Sequence, residues 1–180
     1  GYSFPDWVGT IYPPNARPAD FLGHYAEWFD TVEVNATYYR IPTPRAIEAM
    51  RRKAPEAFTF TVKLPKEMTH QREGADQAVA PFLDGIAPLR SAEQLGAVLA
   101  QFPFSFKRTP ENERHIERIA KPFREAGLPI VVEFRHDSWY DDAVFERLRD
   151  LGVGFVNVDL PDLPALPRPS SIVPSETGYI

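Results

Sequence analysis

Five short runs rich in Val, Phe, Ile and Thr, each separated from the next by a stretch of helical periodicity, constrain the fold of this chain more than any single motif does. The runs cover residues 31–35, 58–63, 95–102, 129–135 and 153–159, each bounded by turn-forming residues, as strands are. A strand that rejoins its sheet through a helix does so by a right-handed crossover and lies parallel to its predecessor. Strict alternation therefore predicts an α/β fold on a parallel sheet, and excludes a sandwich or a helical bundle.

The intervening helices carry their own punctuation. The spacing predicts a helix over 111–126, with Ile116, Ile119, Ala120 and Phe123 on one stripe. Thr109 is its N-cap, Pro110 its first helical residue and Gly127 its stop. Thr43 and Pro44 open a second helix through Ile47 and Met50. Ser138, followed three residues later by Asp141, opens a third that carries Val144, Phe145, Leu148 and Leu151 before Gly152. Phe21, Leu22, Tyr25 and Phe29 space out a fourth, and Val79, Phe82, Leu83 and Ile86 a fifth whose ends Pro81 and Pro88 blur.

The placement of polar residues separates two parallel architectures. Strands of an open doubly wound sheet are covered on both faces and should be apolar throughout. Here polar residues gather at the C-terminal ends: Glu33 with Asn35, Thr61 with Lys63, Gln101, Glu133 with Arg135, and Asn157 with Asp159. Alternation puts each pair on one face and Val34, Val62, Val132 and Val158 on the other, toward covering helices. A TIM-type (β/α)8 barrel gives such polar tips a shared mouth. Eight units take roughly 250 residues. A chain of 180 residues is therefore expected to be one partial barrel domain, 1–180, truncated at both ends. Residues 1–7 then follow an absent first strand and 178–180 open a seventh, with strands 7 and 8 missing or partial.

Composition narrows the chemistry. Hydrophobic residues at 43% suffice for one core. The absence of cysteine excludes disulfides, thiolate nucleophiles, iron–sulfur clusters and Cys-type zinc sites. A net charge of −5 removes the global basic field of avid nucleic-acid binders, while a local basic groove stays open. No apolar run approaches the length of a membrane span and no basic start precedes an apolar segment, so a soluble, cytoplasmic protein with no membrane partner is expected. Without a G-x-G-x-x-G after a strand, a Walker A loop or a G-x-S-x-G elbow, dinucleotide redox, P-loop hydrolysis and serine-hydrolase chemistry lose support.

Six ordered motifs span nearly the whole chain: Gly1-Tyr-Ser-Phe-Pro-Asp-Trp7; Val32-Glu-Val-Asn-Ala-Thr-Tyr-Tyr39 with Pro42; Phe60-Thr-Val-Lys63 with Thr69-His70; Gln101-Phe-Pro103; Val132-Glu-Phe-Arg-His136 with Ser138-Trp139; and Val158-Asp159 with Pro161. In these motifs the chain resembles the YecE-like family, catalogued as domain of unknown function 72 (DUF72). The resemblance implies a TIM-barrel fold distantly related to the sugar isomerase and endonuclease IV barrels, with no established activity. It also implies one more strand at the start and a continuation past residue 180 through a strand bearing Arg and His.

Glu133, Arg135 and His136 form the densest chemical cluster: a carboxylate and a guanidinium that orient each other, and an imidazole that moves protons near neutral pH. The competing reading is a barrel-mouth ion pair, with His136 capping the turn that follows. Trp139 is either a stacking platform for a base or sugar or a packing residue. Glu33 with Asn35, and Asp159 with Asn157, repeat the pairing of carboxylate and amide. Lys63 is an electrophile, a phosphate contact or, if desolvated, an imine-forming amine, with a salt bridge to Glu33 as the competing reading. Gln101 suits a ligand hydroxyl or a neighbouring carboxylate. Tyr2 and Trp7, with Tyr38 and Tyr39, are candidate aromatic walls. His70 joins the catalytic set on the strength of the resemblance.

The acids Glu33, Glu133 and Asp159, with His70 and His136, could hold a divalent metal; the cofactor is otherwise unknown, and no H-E-x-x-H motif is present. The expectation is an enzyme, a hydrolase, lyase or isomerase of the endonuclease IV or sugar isomerase type. It would act on a small polar or phosphate-containing ligand, such as a sugar phosphate or a nucleic-acid phosphodiester. Glu33 or Glu133 would be the base, His70 and His136 proton donors or ligands, and Lys63 and Arg135 phosphate contacts. The alternative is a barrel that binds nucleic acid or a small ligand without turnover.

Overall fold

The computed structural model describes residues Gly1–Ile180. All five expected strands form: β1 (Thr31–Val34), β2 (Thr59–Lys63), β3 (Leu95–Gln101), β4 (Ile130–Glu133) and β5 (Gly154–Phe155). They build one sheet in the order β1-β2-β3-β4-β5, with β1–β2, β3–β4 and β4–β5 paired in parallel. The closed cylinder expected from the polar tips is not formed: the sheet has five strands, and beyond β5 a single parallel bridge, Val156 with Tyr179, continues it into the 178–180 segment expected to open a further strand. Five strands fall short of the eight that the barrel geometry requires.

Seven helices alternate with the strands: α1 (Phe21–Ala26), α2 (Ala36–Tyr39), α3 (Pro44–Arg51), α4 (Lys66–Thr69), α5 (Ala75–Ser91), α6 (Pro110–Glu125) and α7 (Asp142–Asp150). Of these, α2 and α4 are single turns directly after β1 and β2, too short for periodicity to reveal. The Thr109 hydroxyl accepts from the Asn112 amide at 3.2 Å, and the Thr43 hydroxyl from the Ala46 amide at 3.3 Å, as N-caps do. Gly127 stops α6 at φ +69°, in the left-handed region that glycine enters without steric cost. The expected cap of α7 needs correction. Asp141 is the cap, accepting from the Ala143 amide at 3.0 Å, while Ser138 lies in a separate 3-10 turn, Asp137–Trp139. Helix α5 runs through both Pro81 and Pro88.

Contacts divide the chain into two compact units, Gly1–Lys63 with Pro81–Gly96, and Leu64–Ala80 with Ala97–Ile180. The first buries Leu22, Val32, Phe58, Phe60, Phe82 and Ile86. Within it Gly85 comes so close to the Pro42 carbonyl that an added Cβ would stand 2.3 Å from the oxygen, so only glycine fits there. The second unit buries Val98, Leu99, Val131, Val132, Ile119 and Phe123. Its core is completed by an aromatic stack in which Trp139 lies 4.3 Å from Phe134 and 5.3 Å from Phe106, ring centre to ring centre.

The ladder between β4 and β5 corrects the expected facing of the last polar pair. Val131 pairs with Gly154 and Val132 with Phe155. In a parallel ladder partners share a face, so Val156, next in line, stands on the face of Glu133 and Asn157 on the opposite one. Consistently, Val156 packs with Ala97, Leu99 and Val131, and Val158 lies against that cluster. The expectation had Val158 facing away from Glu133 and Asn157 beside it.

Candidate functional site

In the second unit, Gln101 ends β3 and Glu133 ends β4, and the two are direct register partners. Gln101 Nε2 donates to Glu133 Oε1 at 2.8 Å, and Arg135 Nη2 lies 2.5 Å from the same oxygen. Only 7% of the Glu133 side chain is exposed, against 36% for Arg135. A buried carboxylate is tolerable when a cation and a hydrogen bond replace its water, and both are supplied here. Beneath it on the same face lie Leu99 and Val131, so the pair caps an apolar floor.

Tyr140 belongs to this setting, although nothing in the sequence pattern singled it out. Its hydroxyl is buried and has no hydrogen-bond partner. Burial, together with the negative charge of Glu133 and against the positive charge of Arg135, pushes the phenol up to about 12. The only sequence-level signal was its position in the segment that follows His136, since buried hydroxyls are as a rule hydrogen-bonded and the exception cannot be read from residue type.

His136 is 8% exposed and works as a cap. Its Nδ1 accepts from the Ser138 amide at 3.1 Å and also lies 3.0 Å from the Ser138 hydroxyl and 3.2 Å from the Asp137 carboxylate. Its ring lies 4.9 Å from that of Phe104, centre to centre. Trp139 does not offer a face to a ligand. It is 1% exposed, donates from Nε1 to the Phe106 carbonyl at 2.6 Å and is stacked on Phe134. The stacking-platform reading therefore yields to the packing one.

Asn157 is likewise committed to structure. Its Oδ1 accepts from Ser170 Oγ and from the Ile172 amide, each at 2.8 Å, and its Nδ2 donates to the Ile172 carbonyl at 2.9 Å. It pins the segment after β5 instead of facing a ligand. Asp159 is exposed, in the irregular segment after β5. His70 is half-buried just after α4, with Nδ1 3.0 Å from the Thr69 hydroxyl.

In the first unit, Asn35 Nδ2 donates to Glu33 Oε1 at 2.9 Å, so this expected pair does share a face. Glu33 is in register with Thr61, which places Lys63 on that same sheet face. The Lys63 ammonium sits 5.0 Å from the centre of the Tyr38 ring, a cation–π contact. Trp7 stacks on Tyr25 at 6.4 Å and meets the Tyr12 ring edge-on at 5.6 Å. The Tyr2 carbonyl accepts from the Tyr12 hydroxyl at 2.6 Å. Tyr2 and Trp7 thus sit in the aromatic packing of the N-terminal segment. No three His, Asp or Glu side chains gather closely enough to hold a metal ion, so the residues present do not fit the divalent site considered from the sequence.

No helix is long and apolar enough to cross a membrane. The model of the family described as "Protein of unknown function DUF72" matches residues 1–180. The UPF0759 protein YunF of Bacillus subtilis is 31% identical over 144 residues, which cover 77% of this chain and 50% of that protein. The UPF0759 protein YecE of Escherichia coli K12 is 27% identical over 136 residues, 73% of this chain and 47% of that protein. The chain thus spans about half the length of the curated relatives it matches. Among solved structures, a DUF72 family protein from Thermotoga maritima superposes with a TM-score of 0.86 at 39% identity, over 98% of this chain and 69% of that one. A DUF72 family protein from Enterococcus faecalis gives 0.85 at 27% identity, over 97% and 65%.

Proposed function

The chain belongs to the DUF72 family, and from that premise we propose that it is part of a TIM-barrel enzyme working on a polar anionic ligand at the C-terminal ends of β3 and β4. The strand order supports the barrel: it follows the sequence without the reversal that marks a doubly wound sheet. The observation that carries the site is the buried Glu133 carboxylate, held through Oε1 by Gln101 and Arg135. Neither contact uses Oε2, and that oxygen is the general base. It accepts a proton from a ligand hydroxyl or from an attacking water.

Arg135 is the anion contact, because its guanidinium is one-third exposed while still paired. The Tyr140 phenol remains protonated at any ordinary pH and can donate to an oxygen on which negative charge develops. The substrate class is a sugar phosphate or a phosphodiester.

The test is product analysis by mass spectrometry after incubating the full chain with a panel of phosphorylated sugars and short DNA and RNA oligonucleotides. Turnover of one class, lost in Glu133→Gln, supports the proposal. Saturable binding with no product, unchanged by Glu133→Gln, overturns it in favour of a non-catalytic binding barrel.

A further inference from the structure

A cleft of about 400 Å³ opens between residues 71–73, which follow α4, and the N-terminal half of α6, and it shares no residue with the Glu133 site. Its walls carry three guanidiniums, Arg72, Arg114 and Arg118, against two carboxylates, Glu73 and Glu111. Exposed arginines normally splay apart into water. Here two of the three are tied to buried, neutral acceptors.

Arg72 Nη1 donates to Asn112 Oδ1 at 2.8 Å, and the guanidinium lies 5.5 Å from the centre of the Phe106 ring. Arg118 Nη2 donates to His115 Nδ1 at 3.0 Å. Asn112 is 9% exposed and His115 7%. The imidazole has one tautomer, because Nε2–H donates to the Met68 carbonyl at 2.8 Å and leaves Nδ1 to accept. Burial lowers its pKa, against the hydrogen bond to the Met68 carbonyl, and the charges of Arg118 and Arg72 act in the same direction as burial. Neither anchor cancels the charge of the arginine it holds.

None of the three arginines has a carboxylate within short hydrogen-bond distance. Arg114 Nε bonds only the Pro110 carbonyl of its own helix, at 3.1 Å, and the carboxylate contact of Arg118 is to exposed Asp76 at 3.7 Å. Arg72 itself sits at φ +65°. Arg72 and Arg118 are thus fixed at the wall of the cleft by neutral partners, and the carboxylates beside them are Glu73, Glu111 and Asp76.

We propose that this cleft binds a small organic phosphate. The guanidinium forks of Arg72, Arg114 and Arg118 take the phosphoryl oxygens, and Glu73 and Glu111 accept from hydroxyls of the organic part. The volume falls in the range of small-molecule sites, whereas inorganic phosphate would leave most of it to water.

Calorimetric titration of the full chain with ribose 5-phosphate, inorganic phosphate and ribose tests this. Ribose 5-phosphate is expected to bind with a Kd of about 1 mM or tighter, inorganic phosphate about fivefold more weakly, and ribose not at all. Arg72→Ala should weaken ribose 5-phosphate about tenfold. Arg114→Ala, which removes one bond to the Pro110 carbonyl of its own helix, should weaken it about threefold. The proposal is overturned if ribose 5-phosphate fails to saturate by about 10 mM, if both variants bind it like the parent, or if inorganic phosphate binds equally tightly.

Discussion

Gln101 and Glu133 face each other across the β3–β4 ladder, and the amide of one holds Oε1 of the other at 2.8 Å. Arg135 reaches the same oxygen from two residues further along the chain. The carboxylate is thereby buried with its charge answered, and removing either partner exposes how much each supplies.

Arg135→Ala leaves a buried carboxylate with one hydrogen bond and no cation. It should destabilise the protein by about 2–3 kcal/mol, less than for a fully buried pair because Arg135 is part-exposed. Glu133→Gln in the same chain removes the stranded charge and should restore about half of the loss. Urea unfolding of the two single variants and the double variant measures the coupling.

Tyr140→Phe deletes a buried hydroxyl that has no partner. The variant should be as stable as the parent or more so, by up to about 1 kcal/mol at neutral pH. Its pH dependence follows from the phenol, whose pKa rises on folding from 10.0 to about 12. The folded state holds this proton more tightly, so the contribution is whole below pH 10 and is lost as pH rises through about 12. Across that window the parent should lose more stability than the variant, as followed by near-UV circular dichroism.

Asn157→Leu abandons four hydrogen bonds to Ser170, Ile172 and Tyr179. The expected cost is about 2–4 kcal/mol, felt locally. Amide exchange at Ile172 should accelerate by at least about a hundredfold, while amides of β4 keep their protection.

Trp139→Phe keeps most of the stack on Phe134 but drops the indole bond to the Phe106 carbonyl. A loss of about 1–3 kcal/mol is expected from the unpaired carbonyl and the lost volume. Ligand affinity, measured by titration at a temperature where the variant is folded, should not change.

The strands and the two clearest caps were legible because each is written locally, in alternation, in Thr-Pro starts and in Gly stops. The Glu33–Asn35 pair was legible for the same reason, since residues two apart on one strand share a face whatever lies beside them. The facing of Asn157 was not. Alternation fixes parity within a strand, but whether Asn157 or Val156 stands beside Glu133 depends on ladder register, which is decided between strands. Trp139 misled because a surface loop and a buried turn read alike until the aromatic stack is seen. Tyr140 escaped because only coordinates reveal that its hydroxyl has no partner.

Steady-state kinetics of Glu133→Gln, on whichever phosphorylated compound the parent turns over, test the central claim most directly. Loss of the base should lower kcat by about 10²–10⁴-fold with KM nearly unchanged, in a variant that circular dichroism shows to be folded. A variant that is folded and keeps the parental kcat would contradict it, and would make the buried carboxylate a structural ion pair.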